Sequence, residues 1–135
     1  MITMLAKAAF ATLVPVKNMN RAIKFYTEVL GGKLNMRAEG DMKDTWASVS
    51  IGKNDFWLVQ PERFEKRELA YTTFIVKSIK ETINGLKKAG VKFDPAEKMG
   101  PKDKIDGNIT YGEWGSSAFF KDSEGNLLML WQDSE

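Results

Sequence analysis

The sequence contains no histidine and no cysteine, and these two absences remove the side chains that most often bind transition metals. Neutral imidazole and thiolate are the usual protein ligands of zinc, iron, nickel and copper. Without cysteine, disulfides and thiol catalysis are also excluded, and without histidine a Ser-His-Asp triad cannot form. A metal bound by this chain would therefore need oxygen ligands alone.

The chain also lacks long apolar runs and blocks of like charge. No run approaches the roughly 20 residues of a membrane-spanning helix, and 20 basic and 18 acidic residues are spread along the chain. We therefore expect neither membrane insertion nor a nucleic-acid partner. Residues 1–16 are apolar enough to suggest a signal peptide, but Lys7 interrupts them and they run into a patterned segment. We expect a cytoplasmic protein.

What is present is the composition of one globular domain, residues 1–135, with 43% hydrophobic and 28% charged residues. Within it, two halves are similar to each other. Residues 16–19 (VKNM) align with residues 76–79 (VKSI), and residues 54–60 align with residues 126–132. The first offset is 60 and the second is 72, so twelve extra residues lie in the second half, near residues 99–108. The repeat predicts two modules, about 8–62 and about 68–133.

Each module has the pattern of a strand, a helix and then three strands. In the first module we predict strands over residues 10–16, 33–39, 45–51 and 55–60, and a helix that ends at the glycine pair 31–32. In the second we predict strands over 71–76, 91–93, 109–121 and 127–131, and a helix over 79–89. Three strands joined by tight turns after each helix favour an antiparallel α+β fold over a parallel α/β fold.

Two segments carry a resemblance to a known family. Residues 16–31 (VKNMNRAIKFYTEVLG) and 118–130 (AFFKDSEGNLLML) resemble the vicinal oxygen chelate superfamily. That superfamily includes glyoxalase I, extradiol dioxygenases, fosfomycin-resistance enzymes and bleomycin-resistance proteins. The resemblance implies two βαβββ modules that form a curled, mixed or antiparallel sheet around a cup, with the helices on the outer face. It does not imply one activity, because this scaffold supports many.

The resemblance also indicates where relatives place metal ligands: one position in the first strand and one in the last strand of each module. The four corresponding residues here are Ala11, Trp57, Tyr71 and Met129. A register shifted by one residue gives Thr12, Phe56, Thr72 and either Leu128 or Leu130. Neither set suits a divalent ion. We therefore expect no metal and no cofactor.

Strand alternation places a second set of side chains on the inner face of the implied cup. The expected ligand-binding residues are Leu13, Trp57, Val59, Tyr71, Thr73, Met129 and Trp131. Such an apolar and aromatic lining is typical of pockets for small organic molecules. The alternative is that these side chains fill the cup as ordinary core. Trp46 and Trp114 are further candidates for stacking, and residues 95–107 are expected to form a mobile loop that could cover the cup.

The sequence therefore predicts a metal-independent, homodimeric small-molecule-binding protein of the glyoxalase/bleomycin-resistance type, with an apolar or aromatic ligand and no assigned catalytic residue. Its slightly basic charge argues against bleomycin itself, which is cationic. The alternative is an enzyme of the same superfamily: a lyase, isomerase or dioxygenase-like protein with atypical metal or metal-free chemistry. In the metal-free case Glu113 or Tyr71 would be the acid or base. A third reading is a regulatory or structural module whose cup is full.

Overall fold

The computed structural model describes residues 5–134, and the chain divides into two compact units between Phe64 and Glu65. Each unit contains one mixed sheet and one main helix. This confirms the α+β class and the two related modules that the sequence predicts. The beginning of the apolar N-terminal segment, residues 1–4, lies outside the described residues.

Unit 1 has a four-stranded sheet. Its elements are β1 (Ala11–Pro15), α1 (Met19–Lys24), a π-helical turn (Phe25–Val29), β2 (Lys33–Arg37), a 3-10 turn (Gly40–Met42), β3 (Trp46–Ile51) and β4 (Asn54–Val59). The strand order is β1-β4-β3-β2, with β1 parallel to β4 and the other pairs antiparallel. The first and last strands of the unit are therefore neighbours.

One face of this sheet packs against α1 and the other does not. Phe56 and Leu58 of β4 are buried on the helix side, and the Phe56 ring lies 5.6 Å from that of Tyr26. Trp57, between them, points to the opposite face because side chains alternate along a strand. The α1 side is thus the core of unit 1, and we call the opposite side its helix-free face.

Unit 2 repeats this plan with additional strands. Its elements are β5 (Thr72–Ile75), α2 (Ile79–Lys88), β6 (Lys104–Asp106), β7 (Ile109–Tyr111), β8 (Gly115–Lys121) and β9 (Leu127–Asp133). The strand order is β5-β9-β8-β7-β6, and β5 is parallel to β9. Ala118, Phe120, Leu128 and Leu130 are buried on the α2 side, and we call the opposite side the helix-free face of unit 2.

The helix starts are built alike in the two units. Asn18 and Ser78 cap α1 and α2 by accepting the backbone N–H groups of Arg21 and Glu81. In addition, Gln60 Oε1 accepts the backbone N–H of Met19 at 3.0 Å. Gln132 Oε1 likewise accepts the backbone N–H of Ile79 at 2.8 Å. These glutamines end the two segments that align at an offset of 72. The internal repeat therefore preserves the hydrogen bond from the helix start to the glutamine as well as the order of elements.

Two predicted strands of unit 2 differ from the structure. The strand expected over residues 91–93 is reduced to a single bridge between Phe93 and Phe120. The strand expected over 109–121 is split into β7 and β8 by a turn in which Gly112 N–H donates to Gly115 O. Both differences have the same cause. The chain leaves the edge of β8 after Phe93 and passes through the inserted segment, which contains β6. It then returns to the same edge of β8 as β7.

No helix within residues 5–134 is both long and apolar enough to cross a membrane.

The packing around Gly32 yields a stability prediction. A Cβ atom at Gly32 would lie 2.6 Å from Tyr26 O and 2.8 Å from Val49 Cγ1. We expect Gly32→Ala to lower the free energy of unfolding by about 1–3 kcal/mol, because the neighbouring backbone and core must shift. Urea denaturation followed by circular dichroism measures this change.

Gly85 is the matched control, because it is exposed within α2 and no atom lies within 4 Å of its hypothetical Cβ. Gly85→Ala should raise the free energy of unfolding by about 0.4–1 kcal/mol. Equal effects of the two substitutions would show that Gly32 is not held by close packing.

Candidate functional site

Three of the predicted ligand contacts lie on the helix-free face of unit 1. Leu13 and Trp57 are direct partners in the parallel pairing of β1 and β4, and Val59 follows two residues later on the same face. Trp57 is 46% exposed, whereas both of its strand neighbours are buried. The Trp46 ring meets the Trp57 ring edge-on, with centroids 6.4 Å apart. This face is an open aromatic surface and does not form the core of unit 1.

The other four predicted contacts lie in unit 2. Thr73 and Met129 are partners in the β5–β9 pairing, and Thr73 Oγ1 lies 3.6 Å from Met129 Sδ. Trp131 lies on the same helix-free face. Tyr71 precedes β5 and is 67% exposed, and the Arg67 guanidinium lies 5.0 Å above the centre of its ring. Tyr71 therefore already has a cation partner for its aromatic face.

A pocket of about 420 Å³ opens on the helix-free face of unit 2. We call it the tryptophan pocket. Its lining comes from β7, β8, β9, the β7–β8 turn and the inserted segment: Met99, Gly100, Pro101, Lys102, Asp103, Thr110, Gly112, Glu113, Trp114, Gly115, Ser117 and Trp131. Of the seven predicted contacts, Trp131 lines this pocket and the other six do not.

Two contacts position the indole of Trp131. Its Nε1–H donates to Asp133 Oδ1 at 2.6 Å, two residues along the same strand face. The ring also lies over Gly115 of the neighbouring strand, where a Cβ atom would be only 2.5 Å from Trp131 Cζ2. Gly115 thus leaves the space that the ring occupies, and the indole is oriented before any ligand arrives.

The inserted segment forms one wall of the pocket, and we call residues 94–103 the cover segment. Asp103 Oδ2 accepts the backbone N–H groups of Met99 and Gly100, both at 2.9 Å. Thr110 Oγ1 donates to Glu97 O at 2.9 Å. Asn108 Nδ2 donates to Asp94 O at 3.1 Å. The sequence predicts a mobile loop here, whereas in the structure side chains hold the segment at several points against the sheet.

A second pocket, of about 490 Å³, is lined by the first half of the cover segment. We call it the phenylalanine pocket. It is lined by Asp94, Pro95, Glu97, Lys98, Met99, Phe119, Lys121 and Leu127. Phe119, Lys121 and Leu127 belong to the same helix-free face as Trp131, so both pockets use one side of one sheet.

The residues at the four expected ligand positions do not fit the metal that the resemblance implies. Ala11 and Trp57 offer no donor, Met129 offers a thioether and Tyr71 a phenol. Asp55 faces Ala11 in the β1–β4 pairing, but its carboxylate accepts a hydrogen bond from Ser50. Residues 5–134 contain no group of three or more acidic side chains arranged to hold an ion. Because these four side chains do not suit a divalent ion, we assign no metal-dependent reaction step to them.

Sequence reasoning missed several pocket residues and underrated others. Glu113 and Trp114 were weaker candidates, yet both line the tryptophan pocket, and Trp114 is 77% exposed there. Met99, Lys102 and Asp103 were missed as pocket residues. The available signal was the twelve-residue insertion: extra residues in one copy of a repeat indicate a feature that only this module possesses.

The chain is similar to known proteins in both sequence and fold. The sequence model described as "Glyoxalase/Bleomycin resistance protein/Dioxygenase superfamily" matches residues 8–130. No curated protein matches the sequence significantly.

Several solved structures share the fold. TnmS3, an antibiotic binding protein from Streptomyces sp. CB03234, is 25% identical, with 95% of this chain and 98% of that chain covered and a TM-score of 0.68. A glyoxalase family protein from Enterococcus faecalis is 20% identical, with 95% and 99% covered and a TM-score of 0.72. The fosfomycin resistance protein FosX from Listeria monocytogenes is 17% identical, with 99% and 94% covered and a TM-score of 0.71.

The paired modules, their shared helix-start contacts and the family match over residues 8–130 agree with one another. The chain belongs to the glyoxalase/bleomycin resistance protein/dioxygenase superfamily.

Proposed function

We propose that this protein binds a small, apolar or aromatic molecule without using a metal. The observation that carries the proposal is the tryptophan pocket, in which the indole of Trp131 forms part of the wall and is oriented by Asp133 and Gly115. Its volume of about 420 Å³ lies within the roughly 300–1,000 Å³ of small-molecule sites. A ring already held in place loses little freedom when a flat ligand stacks on it.

The polar groups of the pocket are few and mixed in charge. Lys102 contributes one positive group, and Asp103 and Glu113 contribute two negative ones. Asp103 already accepts two backbone hydrogen bonds from the cover segment. This arrangement favours a ligand that is recognised by its shape and by stacking on Trp131. One or two polar contacts would orient the ligand.

The structural neighbours support the same reading. TnmS3 is described as an antibiotic binding protein, and FosX as a fosfomycin resistance protein. Both descriptions concern small molecules. For this chain they support the proposal of a small-molecule ligand without naming one.

The six other predicted contacts are also part of the proposal. Leu13, Trp57 and Val59 form an exposed apolar face in unit 1. Thr73 and Met129 lie in strands β5 and β9 of the sheet that carries the tryptophan pocket, and Tyr71 directly precedes β5. We propose these residues as additional ligand contacts on the helix-free faces of their units.

One observation favours a second candidate function. Glu113 lines the tryptophan pocket, and a carboxylate in a pocket wall can accept or donate a proton. A metal-free lyase or isomerase would use this residue. Tyr71, the other acid or base that the sequence suggests, lies outside that pocket beneath Arg67.

The binding proposal is tested at Trp131. We expect Trp131→Ala to weaken the binding of 1-naphthol, a neutral two-ring probe, by about 1–3 kcal/mol, because the aromatic ring on which the probe stacks is lost. Isothermal titration calorimetry measures the affinity, and thermal melting shows whether the variant stays folded. Trp57→Ala, measured in the same way, tests the contribution of unit 1.

Trp131→Phe is the conservative control, because it keeps an aromatic ring at the same position. It should recover most of the 1-naphthol affinity. Unchanged affinity in Trp131→Ala would contradict the proposal. A folding defect shared by both variants, with wild-type affinity in the folded fraction, would instead make the indole part of the core.

We expect no stoichiometric binding of Mn²⁺, Ni²⁺ or Zn²⁺ at micromolar concentration, because the four expected ligand positions offer one phenol and one thioether. Elemental analysis of the purified protein and calorimetric titration with each ion measure this. As a functional control, treatment with EDTA should leave the affinity for 1-naphthol unchanged. A stoichiometric metal, or affinity lost with EDTA, would refute metal independence.

We further propose that the protein is a cytoplasmic homodimer. The outer strands of the two sheets are β1 and β2 in unit 1 and β5 and β6 in unit 2. Outer strands leave backbone groups that a second chain can cover, and two-fold dimers are the commonest closed assembly. Light scattering after size exclusion should give twice the chain mass at tens of micromolar. A single-chain mass at that concentration would contradict the dimer.

A further inference from the structure

The two pockets of unit 2 follow one another along the same two strands. Gly115 and Ser117 of β8 line the tryptophan pocket, and Phe119 and Lys121 continue the same face in the phenylalanine pocket. On β9, Trp131 belongs to the tryptophan pocket and Leu127 to the phenylalanine pocket. These positions are separated by even numbers of residues along each strand, so they share one face.

Met99 of the cover segment lines both pockets. Its backbone N–H is held by Asp103, and its side chain is 71% exposed. A methionine side chain is unbranched and has several rotatable bonds, so it changes conformation at little cost. Met99 is therefore an adaptable side chain that both pockets share, on a backbone that is held in place.

The geometry of the two pockets limits the shape of a shared ligand. Leu127 and Trp131 are four residues apart on one strand, which corresponds to about 13 Å. The two ends are chemically alike: Trp131 provides an aromatic wall at one end, and Phe119 and Leu127 provide an apolar wall at the other. A ligand that uses both pockets must be elongated and must have an apolar group at each end.

The charges indicate that this ligand is uncharged overall. In the phenylalanine pocket Lys98 and Lys121 are accompanied by Asp94 and Glu97. The tryptophan pocket also contains both signs, through Lys102 and Glu113. Neither pocket presents a single-sign field that would select an anion or a cation.

We propose that the two pockets are two halves of one binding site, that Met99 controls passage between them, and that the ligand class is an elongated, uncharged molecule with a ring at each end. This inference rests on the proposed binding function. Met99 is then a specificity-determining residue: it decides whether a ligand is held in one pocket or extends through both.

The experiment uses two probes of different length. 1-Naphthol is short enough for one pocket, and 1,6-diphenylhexatriene is a neutral rod with a phenyl ring at each end. Affinities are measured by calorimetry for the first probe and by fluorescence enhancement for the second. The variants are Met99→Trp, which enlarges the side chain between the two pockets, and Met99→Ala, which removes most of it. Met42→Trp is the matched control, because Met42 is 59% exposed in unit 1.

We expect Met99→Trp to weaken binding of the rod about tenfold, because the larger ring overfills the passage. Met99→Ala should tighten binding of the rod. Each Met99 variant should change the affinity for the rod about fivefold more than the affinity for 1-naphthol, whose pocket Met99 also lines, and Met42→Trp should affect neither probe.

The possible failures are distinct. If 1-naphthol binds in a Trp131-dependent manner but the Met99 variants do not alter rod binding, or alter both probes equally, the shared site is wrong and the proposed function stands. If neither probe binds the wild-type protein, the proposed function and this inference both fail. A melting temperature close to wild type in both Met99 variants verifies that the comparison concerns binding.

Discussion

The rest of each unit depends on the hydrogen bond between a glutamine at the end of the last strand and the first backbone N–H of the helix. Gln60 makes this bond to Met19, and Gln132 makes it to Ile79. The first N–H groups of a helix have no partner within the helix, so the glutamine satisfies a group that would otherwise need water. In the same places Val16 N–H donates to Val59 O and Val76 N–H donates to Trp131 O. The first strand, the helix start and the last strand are thereby joined at one corner.

This corner determines which face of the sheet is available to a ligand. Once the helix is attached to the end of the last strand, it covers one face and buries Phe56 and Leu58 of β4 or Leu128 and Leu130 of β9. The odd-numbered residues, Trp57 and Trp131 among them, are left on the other face. Trp131 shows how closely the two functions are linked. Its backbone carbonyl helps to close the corner, while its side chain forms the wall of the pocket.

Local signals were sufficient to predict much of the fold. Both helices and the alternation that places Trp57, Met129 and Trp131 opposite the helices depend on residues close together in sequence. The internal repeat then shows that the two halves share one order of elements. The pocket depends on contacts that no local pattern encodes. Gly115 matters because β8 and β9 pair in a register that brings Trp131 over it. The cover segment is held by Asn108 and Thr110, which are 13 to 14 residues away from the carbonyls they bind. The repeat showed where the second module had gained residues, although the first module gave no template for their conformation.

The parallel pairing of β1 with β4 has a consequence for how unit 1 is made. Its first strand cannot pair until its last strand exists, and all the residues of α1, β2 and β3 separate the two. During synthesis β1 and the apolar side of α1 therefore stay uncovered until the residues up to Gln60 have left the ribosome. Closing so long a loop costs entropy before any contact is gained, which makes it a slow event in folding. Gln60 then completes the unit in two ways. It directly follows the last strand, and its side chain accepts the backbone N–H of Met19 at the start of α1.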